Sequence, residues 1–173
     1  NYDVFSDFNQ VPTSGVLHNY TAAKVEYIVN WTLNNLPLDS TRTYMTGWSM
    51  GAMGAMFNSI MLREKIAAAF VYAPSFNMAL GITLLDRLWG TYQLNLQTNE
   101  GFSRNERLNT NFLLNNNKLN SLPLIFTFCG KNDESVGWNE KIAFYDSVNS
   151  SKHGGFHFWS ASDHQQVFLN SPW

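Results

Sequence analysis

Residues 41–56 read TRTYMTGWSMGAMGAM, and this stretch decides the predicted fold. The run from Thr41 to Thr46 is short, is flanked by turn residues and predicts a β-strand. The residues after Ser49 begin small and become bulky, which is typical of a helix packed closely on a sheet. Between strand and helix lies the segment GWSMG at 47–51. A strand that turns sharply through a G-x-S-x-G segment into a helix predicts a nucleophile elbow, which presents the serine hydroxyl above the sheet.

The two glycines of this segment have an expected steric role. Because glycine has no Cβ, Gly47 and Gly51 should let the strand and the helix approach closely around Ser49. The N-terminus of the helix also favours negative charge that develops beside the serine. The alternative is a structural serine in a glycine-rich turn.

Elements on either side of the elbow alternate between helix and strand. Apolar residues at helical spacing predict a helix from Thr21 to Leu36, with Thr21 as its N-cap. Apolar runs predict strands over 66–72, 122–129 and 155–159. Helices are predicted over 140–148 and, at the end of the chain, over 164–169. Such alternation predicts an α/β fold, a doubly wound and mostly parallel sheet covered by helices on both faces.

The composition is that of one globular domain. Of the 173 residues, 45% are hydrophobic and 15% are aromatic, which is enough for a substantial core. The net charge of −2 provides no basic excess, which argues against a nucleic acid or a membrane surface as partner. Asn is abundant while Lys and Arg are scarce, and this favours a secreted or periplasmic protein. The single cysteine, Cys129, lies in an apolar strand and is expected to be buried.

A serine hydroxyl becomes a good nucleophile only beside a general base, and the base needs an orienting acid. In sheets of this kind the chain order is Ser, then Asp or Glu, then His. Asp133 follows the strand 122–129, at the carboxyl end of a parallel strand, where such sheets place functional residues. Its neighbour Glu134 is an alternative acid, and an Asx turn is a purely structural alternative for Asp133.

The general base is to be found among four histidines. His164 follows the last predicted strand on a loop and is the best candidate by position. His18 precedes Ser49, which the chain order disfavours. His153 lies in a polar stretch and is expected to be solvated, and His157 lies within an apolar strand and is expected to pack in the core.

Three stretches, YMTGWSMGA at 44–52, FCGKND at 128–133 and DHQQVF at 163–168, resemble α/β-hydrolases of the serine esterase type. The groups to which they are similar include secreted esterases, feruloyl esterases and polyhydroxybutyrate depolymerases. The resemblance implies the α/β-hydrolase fold, with Ser49 as nucleophile, Asp133 as acid and His164 as base. It also implies that the backbone N–H of Met50 donates to the oxyanion.

The chain departs from this family before the elbow. Several strands precede the nucleophile strand in the family, whereas here the residues before Ser49 predict mainly one loop and one helix. The loop that supplies the second oxyanion donor is therefore absent, and the strand 41–46 would have an open edge. We expect residues 1–173 to be a partial domain, lacking the N-terminal strands. An N-terminal segment or a second chain would complete its sheet.

These residues predict hydrolysis of a small-molecule carboxylic ester through an acyl-serine intermediate, without a cofactor. No metal site is expected, because no pair of histidines has ligand spacing. Residues 75–120 are irregular and predict an insertion over the active site. Within it Trp89, with Tyr92 and Phe102, is expected to contact substrate, as is Trp48; packing on the sheet is the alternative for the aromatic residues of the insertion. A prolyl-oligopeptidase-like peptidase and a catalytically silent binding protein are alternative functions.

Overall fold

The computed structural model describes residues 10–80 and 83–165. The helix predicted over 164–169 lies mostly outside these residues. In chain order the described elements are α1 Tyr20–Asn35, a 3-10 turn Ser40–Arg42, β1 Tyr44–Trp48, α2 Met50–Met61, β2 Ala68–Tyr72, α3 Thr83–Trp89, α4 Arg104–Arg107, α5 Thr110–Asn116, β3 Leu124–Gly130, α6 Asn139–Ser151 and β4 Gly155–Ser160. None of the described helices is both long and apolar enough to cross a membrane.

The four strands form one sheet in which spatial order follows chain order, β1-β2-β3-β4. All three pairings are parallel, with Thr46 beside Phe70 and Phe70 beside Phe126. This confirms the predicted α/β class and parallel sheet. Because the strands are parallel, all four carboxyl ends lie at one edge, and the loops that leave β1, β3 and β4 meet there.

Two predicted boundaries are wrong for local reasons. The first strand begins at Tyr44, since residues 40–42 form a 3-10 turn whose N-cap, Asp39, accepts a hydrogen bond from the backbone N–H of Thr41 at 2.9 Å. The first helix begins at Tyr20 and its N-cap is Asn19, not Thr21. The Asn19 side chain accepts from the backbone N–H of Ala22 at 3.1 Å.

The core lies on the face of the sheet that carries Ala69, Val71 and Ile125. One side of α2 is buried against this face, and Phe144 of α6 is fully buried there. Residues 75–120 contain three short helices, and the last of them, α5, contributes Leu113 and Leu114 to the same core. Part of the predicted insertion is thus integral to the domain.

The opposite face of the sheet carries rows of aromatic side chains. Phe70 stacks on Phe126 with ring centroids 4.6 Å apart, and Tyr72 stacks on Phe128 at 4.5 Å. Within the described residues, the hydrophobic cluster on this face contains strand side chains and Ala73 but no helix residue. The described helices that contribute to the core cover only the face with Ala69, Val71 and Ile125. That helices also cover the aromatic face stays a prediction.

The thiol of Cys129 is buried, as the sequence predicts. Burial raises its pKa to about 11, which leaves little thiolate at neutral pH. We therefore expect iodoacetamide at pH 8 to leave the native protein unmodified and to alkylate Cys129 only after unfolding in urea. Intact-mass measurement distinguishes the two states. Rapid alkylation of the native protein would contradict this burial.

Candidate active site

Ser49 connects β1 to α2 through a strained backbone. Its φ of 55° and ψ of −121° lie in a region that residues with a side chain rarely adopt. The Ser49 N–H donates to the carbonyl of Tyr72 at 2.8 Å, and its carbonyl accepts from Ala52 at 3.0 Å. Bonds to a neighbouring strand and to the helix therefore fix the conformation of the predicted nucleophile.

The two glycines of the segment are not equivalent. A Cβ built on Gly47 would collide with the carbonyl group of Gly51, whereas a Cβ on Gly51 would meet nothing within 4 Å. Gly47 thus permits the close approach of strand and helix. The expected steric role of Gly51 is wrong, since its missing side chain would occupy open space.

The structure brings together the three residues that chain order selects. The Oγ of Ser49 lies 2.8 Å from Nε2 of His164, and Nδ1 of His164 lies 2.7 Å from Oδ2 of Asp133. Asp133 is buried, and His164 is partly exposed. The imidazole thus bridges a serine hydroxyl and a buried carboxylate, the arrangement in which a histidine can accept a proton from the serine.

The second carboxylate oxygen of Asp133 is used for its own loop. Its Oδ1 accepts from the backbone N–H of Ser135 at 2.9 Å and of Val136 at 3.1 Å. The Asx turn that the sequence offers as a structural alternative is therefore present as well. One carboxylate oxygen thus shapes the loop while the other contacts His164, and the role of Asp133 as the acid stays a prediction. Glu134 is exposed.

The loop that carries His164 is held against the loop that carries Asp133. The backbone N–H groups of Lys131 and Asn132 donate to carbonyls of residues 160 and 162, at 2.8 and 3.1 Å. The side chain of Asn132 donates to the Ala161 carbonyl at 2.6 Å. A Cβ on Gly130 would collide with the carbonyl of Ser162, so Gly130 is needed for this approach. No sequence motif indicates a role for Gly130 or Asn132.

Trp48 contacts His164 directly. Its indole N–H donates to the backbone carbonyl of His164 at 3.1 Å, and its ring centroid lies 5.2 Å from that of the imidazole. The sequence predicts Trp48 as a substrate contact. The structure adds a second role, which is to hold the His164 backbone above the end of β1.

The other histidines have different surroundings. His157 packs edge-on against Phe144, its Nδ1 lies 2.9 Å from Oγ1 of Thr127, and burial lowers its pKa. His153 is half-buried rather than solvated, with Nε2 3.2 Å from the Leu114 carbonyl. His18 stacks on the neighbouring ring of Tyr20.

Met50 is the first residue of α2. The backbone N–H groups in the first turn of a helix have no acceptor one turn back, and they lie at the positive end of its dipole. The Met50 N–H can therefore donate to negative charge beside Ser49. Among residues 10–80 and 83–165, no group of three His, Cys, Asp or Glu side chains is arranged to hold a metal ion.

A cavity of about 400 Å³ begins beside Met50. Trp89 lines it, whereas Tyr92 and Phe102 do not, and the predicted contact of Trp89 with substrate stays a prediction. Phe102 instead packs edge-on against Phe112 at 6.3 Å, as the packing alternative predicts.

No protein-family model matches the sequence, and no curated protein matches it. Solved structures of serine hydrolases do share its fold. Dipeptidyl peptidase 4 of Porphyromonas gingivalis aligns with a TM-score of 0.69 at 14% identity, over 88% of this chain and 20% of that chain. An S-formylglutathione hydrolase from Agrobacterium tumefaciens aligns with a TM-score of 0.64 at 18% identity, over 87% of this chain and 52% of that chain.

A third similar structure is FphF, a fluorophosphonate-binding serine hydrolase of Staphylococcus aureus. It aligns with a TM-score of 0.63 at 17% identity, over 95% of this chain and 64% of that chain. These likenesses confirm the α/β-hydrolase fold that the sequence resemblance implies. The 173 residues span between a fifth and just under two thirds of the three proteins.

The two glycines of the elbow give a matched pair of substitutions. We expect Gly47→Ala to lower the free energy of unfolding by about 1–3 kcal/mol, because the new methyl group meets backbone that cannot move away. We expect Gly51→Ala to change it by less than ~1 kcal/mol, in the stabilising direction, because alanine favours a helix. Urea unfolding measures both. Equal losses in the two variants would contradict this assignment.

Replacing Trp48 by phenylalanine keeps an aromatic ring beside His164 and removes the indole N–H. Because one hydrogen bond to the His164 backbone is lost, we expect the rate at which a fluorophosphonate modifies Ser49 to fall up to about tenfold. Mass spectrometry over a time course measures that rate. Tyr92→Phe, which removes a hydroxyl from an exposed aromatic residue, is the control and should react at the original rate. An unchanged rate in Trp48→Phe would refute the role of the indole N–H.

Proposed function

We propose that this chain carries the catalytic residues of a serine hydrolase that cleaves small-molecule carboxylic esters through an acyl-serine intermediate. The observation that supports this most strongly is the hydrogen-bonded series from Ser49 through His164 to the buried Asp133. It joins residues 31 and 115 positions apart in the chain, at the edge of a parallel sheet where such folds place function.

In the acylation step, Oγ of Ser49 attacks the ester carbonyl while Nε2 of His164 takes its proton. The carbonyl oxygen becomes an oxyanion, to which the Met50 N–H donates. When the tetrahedral intermediate collapses, the imidazolium returns the proton to the departing alkoxide and the alcohol leaves. Ser49 is then esterified.

In the deacylation step, a water molecule takes the place of the alcohol. His164 removes a proton from this water, which attacks the acyl-serine carbonyl, and the proton returns to Oγ as the acid leaves. Asp133 accepts the Nδ1–H hydrogen bond throughout and stabilises the imidazolium without taking the proton. Its position is fixed by the donors of Ser135 and Val136.

The strained elbow supports the same assignment. The N–H of Ser49 already donates to the Tyr72 carbonyl, so the next backbone N–H beside the hydroxyl is that of Met50, the first residue of α2. A single oxyanion donor would lower the rate on the order of 10²–10³-fold relative to a complete pair. A second donor therefore belongs to the proposed active enzyme.

Chain outside the 173 residues is the proposed source of the missing donor and strands. In the described sheet β1 is an edge strand, and its first residue, Tyr44, lines a cavity of about 580 Å³ together with residues of α1. No side chain of α1 is buried, and Tyr27 and Trp31 are exposed on it. We propose that an N-terminal segment or a second polypeptide pairs with β1 and covers these apolar groups, because an open apolar edge is an aggregation hazard.

A fluorophosphonate probe tests the proposed chemistry in the protein as its natural gene encodes it. We expect one equivalent of label on Ser49, and loss of labelling in Ser49→Ala and in His164→Ala. Ser150→Ala changes an exposed serine of α6 and is the matched control, which should label fully. Labelling that persists in Ser49→Ala, or folded protein that does not label at all, would overturn the proposal.

A peptidase is the second candidate, and the likeness to dipeptidyl peptidase 4 favours it. The two candidates share the acyl-serine step but differ in leaving group, an alcohol or an amine. Parallel assays with a p-nitrophenyl ester and with aminoacyl p-nitroanilides distinguish them. Turnover of an anilide with a kcat/KM at or above that of the ester would replace the esterase proposal. A silent binding protein would turn over neither.

A further inference from the structure

The cavity beside Met50 extends along α2. From this helix Met53, Gly54 and Phe57 line it, and across from them lie Leu88 and Trp89 of α3. Most of the wall therefore consists of aliphatic, thioether and aromatic groups, which bind an apolar part of a ligand. Arg107 also lines the cavity, but its guanidinium is engaged with Glu100 at 2.6 Å.

Gly54 is unusual in this wall. It lies in the interior of α2, where glycine weakens a helix relative to alanine. Its φ is not in the left-handed region, and a Cβ built on it would meet nothing within 4 Å. Neither backbone conformation nor close packing requires a glycine here. What the missing side chain provides is free space within the cavity.

The position of that space follows from helical periodicity. Residues three and four apart lie on the same side of a helix, so a side chain at 54 would project between Met50 and Phe57 or Asn58. All three of these residues line the cavity. A bulky residue at position 54 would therefore divide the cavity into a part next to Met50 and a part next to Phe57 and Asn58.

The cavity lies on the acyl side of the proposed reaction. The departing alcohol must lie near Nε2 of His164, because that atom protonates it. Among the described residues that line the cavity is Met50, which directly follows Ser49, whereas Ser49 itself and the loops of His164 and Asp133 do not line it. Of the two parts of the ester, the one that stays attached to Ser49 is therefore the nearer to the cavity.

We propose that this cavity binds the acyl chain of the substrate, that the chain is a linear aliphatic one, and that Gly54 sets its maximum length. The inference rests on the proposed function and names its substrate class. From Met50 to Asn58 the helix advances ~12 Å, which an extended chain of about eight to ten carbons spans. The flexible thioethers of Met50, Met53 and Met78 can adapt to such a chain.

The first test compares p-nitrophenyl acetate, butyrate, hexanoate and octanoate. We expect kcat/KM to rise about fourfold for each buried methylene group until the cavity is full. In Gly54→Leu, kcat/KM for octanoate should fall at least 30-fold while that for acetate stays within about twofold. Gly54→Ala should retain most of the octanoate activity. Ala143→Leu, on the exposed side of α6, is the control for added bulk and should change kcat/KM for neither acetate nor octanoate.

A second measurement does not depend on turnover. Ser49→Ala should bind octanamide by calorimetry, bind acetamide far more weakly, and lose the octanamide heat when Gly54→Leu is added. A flat chain-length profile, a Gly54→Leu effect equal for acetate and octanoate, or no octanamide binding would overturn the inference. Octanamide binding that Gly54→Leu abolishes, in a protein that hydrolyses no ester, would support the cavity assignment and refute the proposed function.

Discussion

The conformation of Ser49 is the constraint on which the rest of the site depends. A positive φ at a residue with a side chain is unfavourable, and it persists here because hydrogen bonds to β2 and to α2 determine the backbone on both sides. The same turn requires Gly47, whose missing Cβ leaves room for the Gly51 carbonyl. The strain places the hydroxyl beyond the end of β1, where two other loops can reach it.

Those two loops are hydrogen-bonded to each other, and His164 connects them to Ser49. Hydrogen bonds from Lys131 and Asn132 join the loop after β3 to the loop after β4, and Gly130 permits their contact. Asp133 shapes its own turn with one oxygen and binds His164 with the other. The indole of Trp48 then connects this pair of loops to the elbow. The imidazole is therefore held by Asp133 and by the two connected loops, while Trp48 holds the backbone of His164.

The elbow could be predicted because it depends on a local pattern. Its partners could be predicted from their chain order and from their places after β3 and β4. A serine between glycines, after a strand and before a helix, restricts the turn, and parallel strands bring Asp133 and His164 to one edge. The contact between Trp48 and His164 could not be predicted, because its acceptor is a backbone carbonyl 116 residues away, which no side-chain pattern reports. The steric role predicted for Gly51 is wrong for a related reason. The motif shows which residues are small, but only the direction of each Cα–Cβ vector shows whether the space beside it is filled.

The sequential strand order has a consequence for how the site is assembled as the chain is synthesised. Each strand pairs with the one made before it, so β1, α2 and β2 can associate while the later strands are still to be made. The elbow can form at that stage, but the imidazole of His164 is not yet in place, because His164 follows the last strand. In the proposed hydrolase, Ser49 therefore lacks its general base until β4 and the loop after it have joined the sheet.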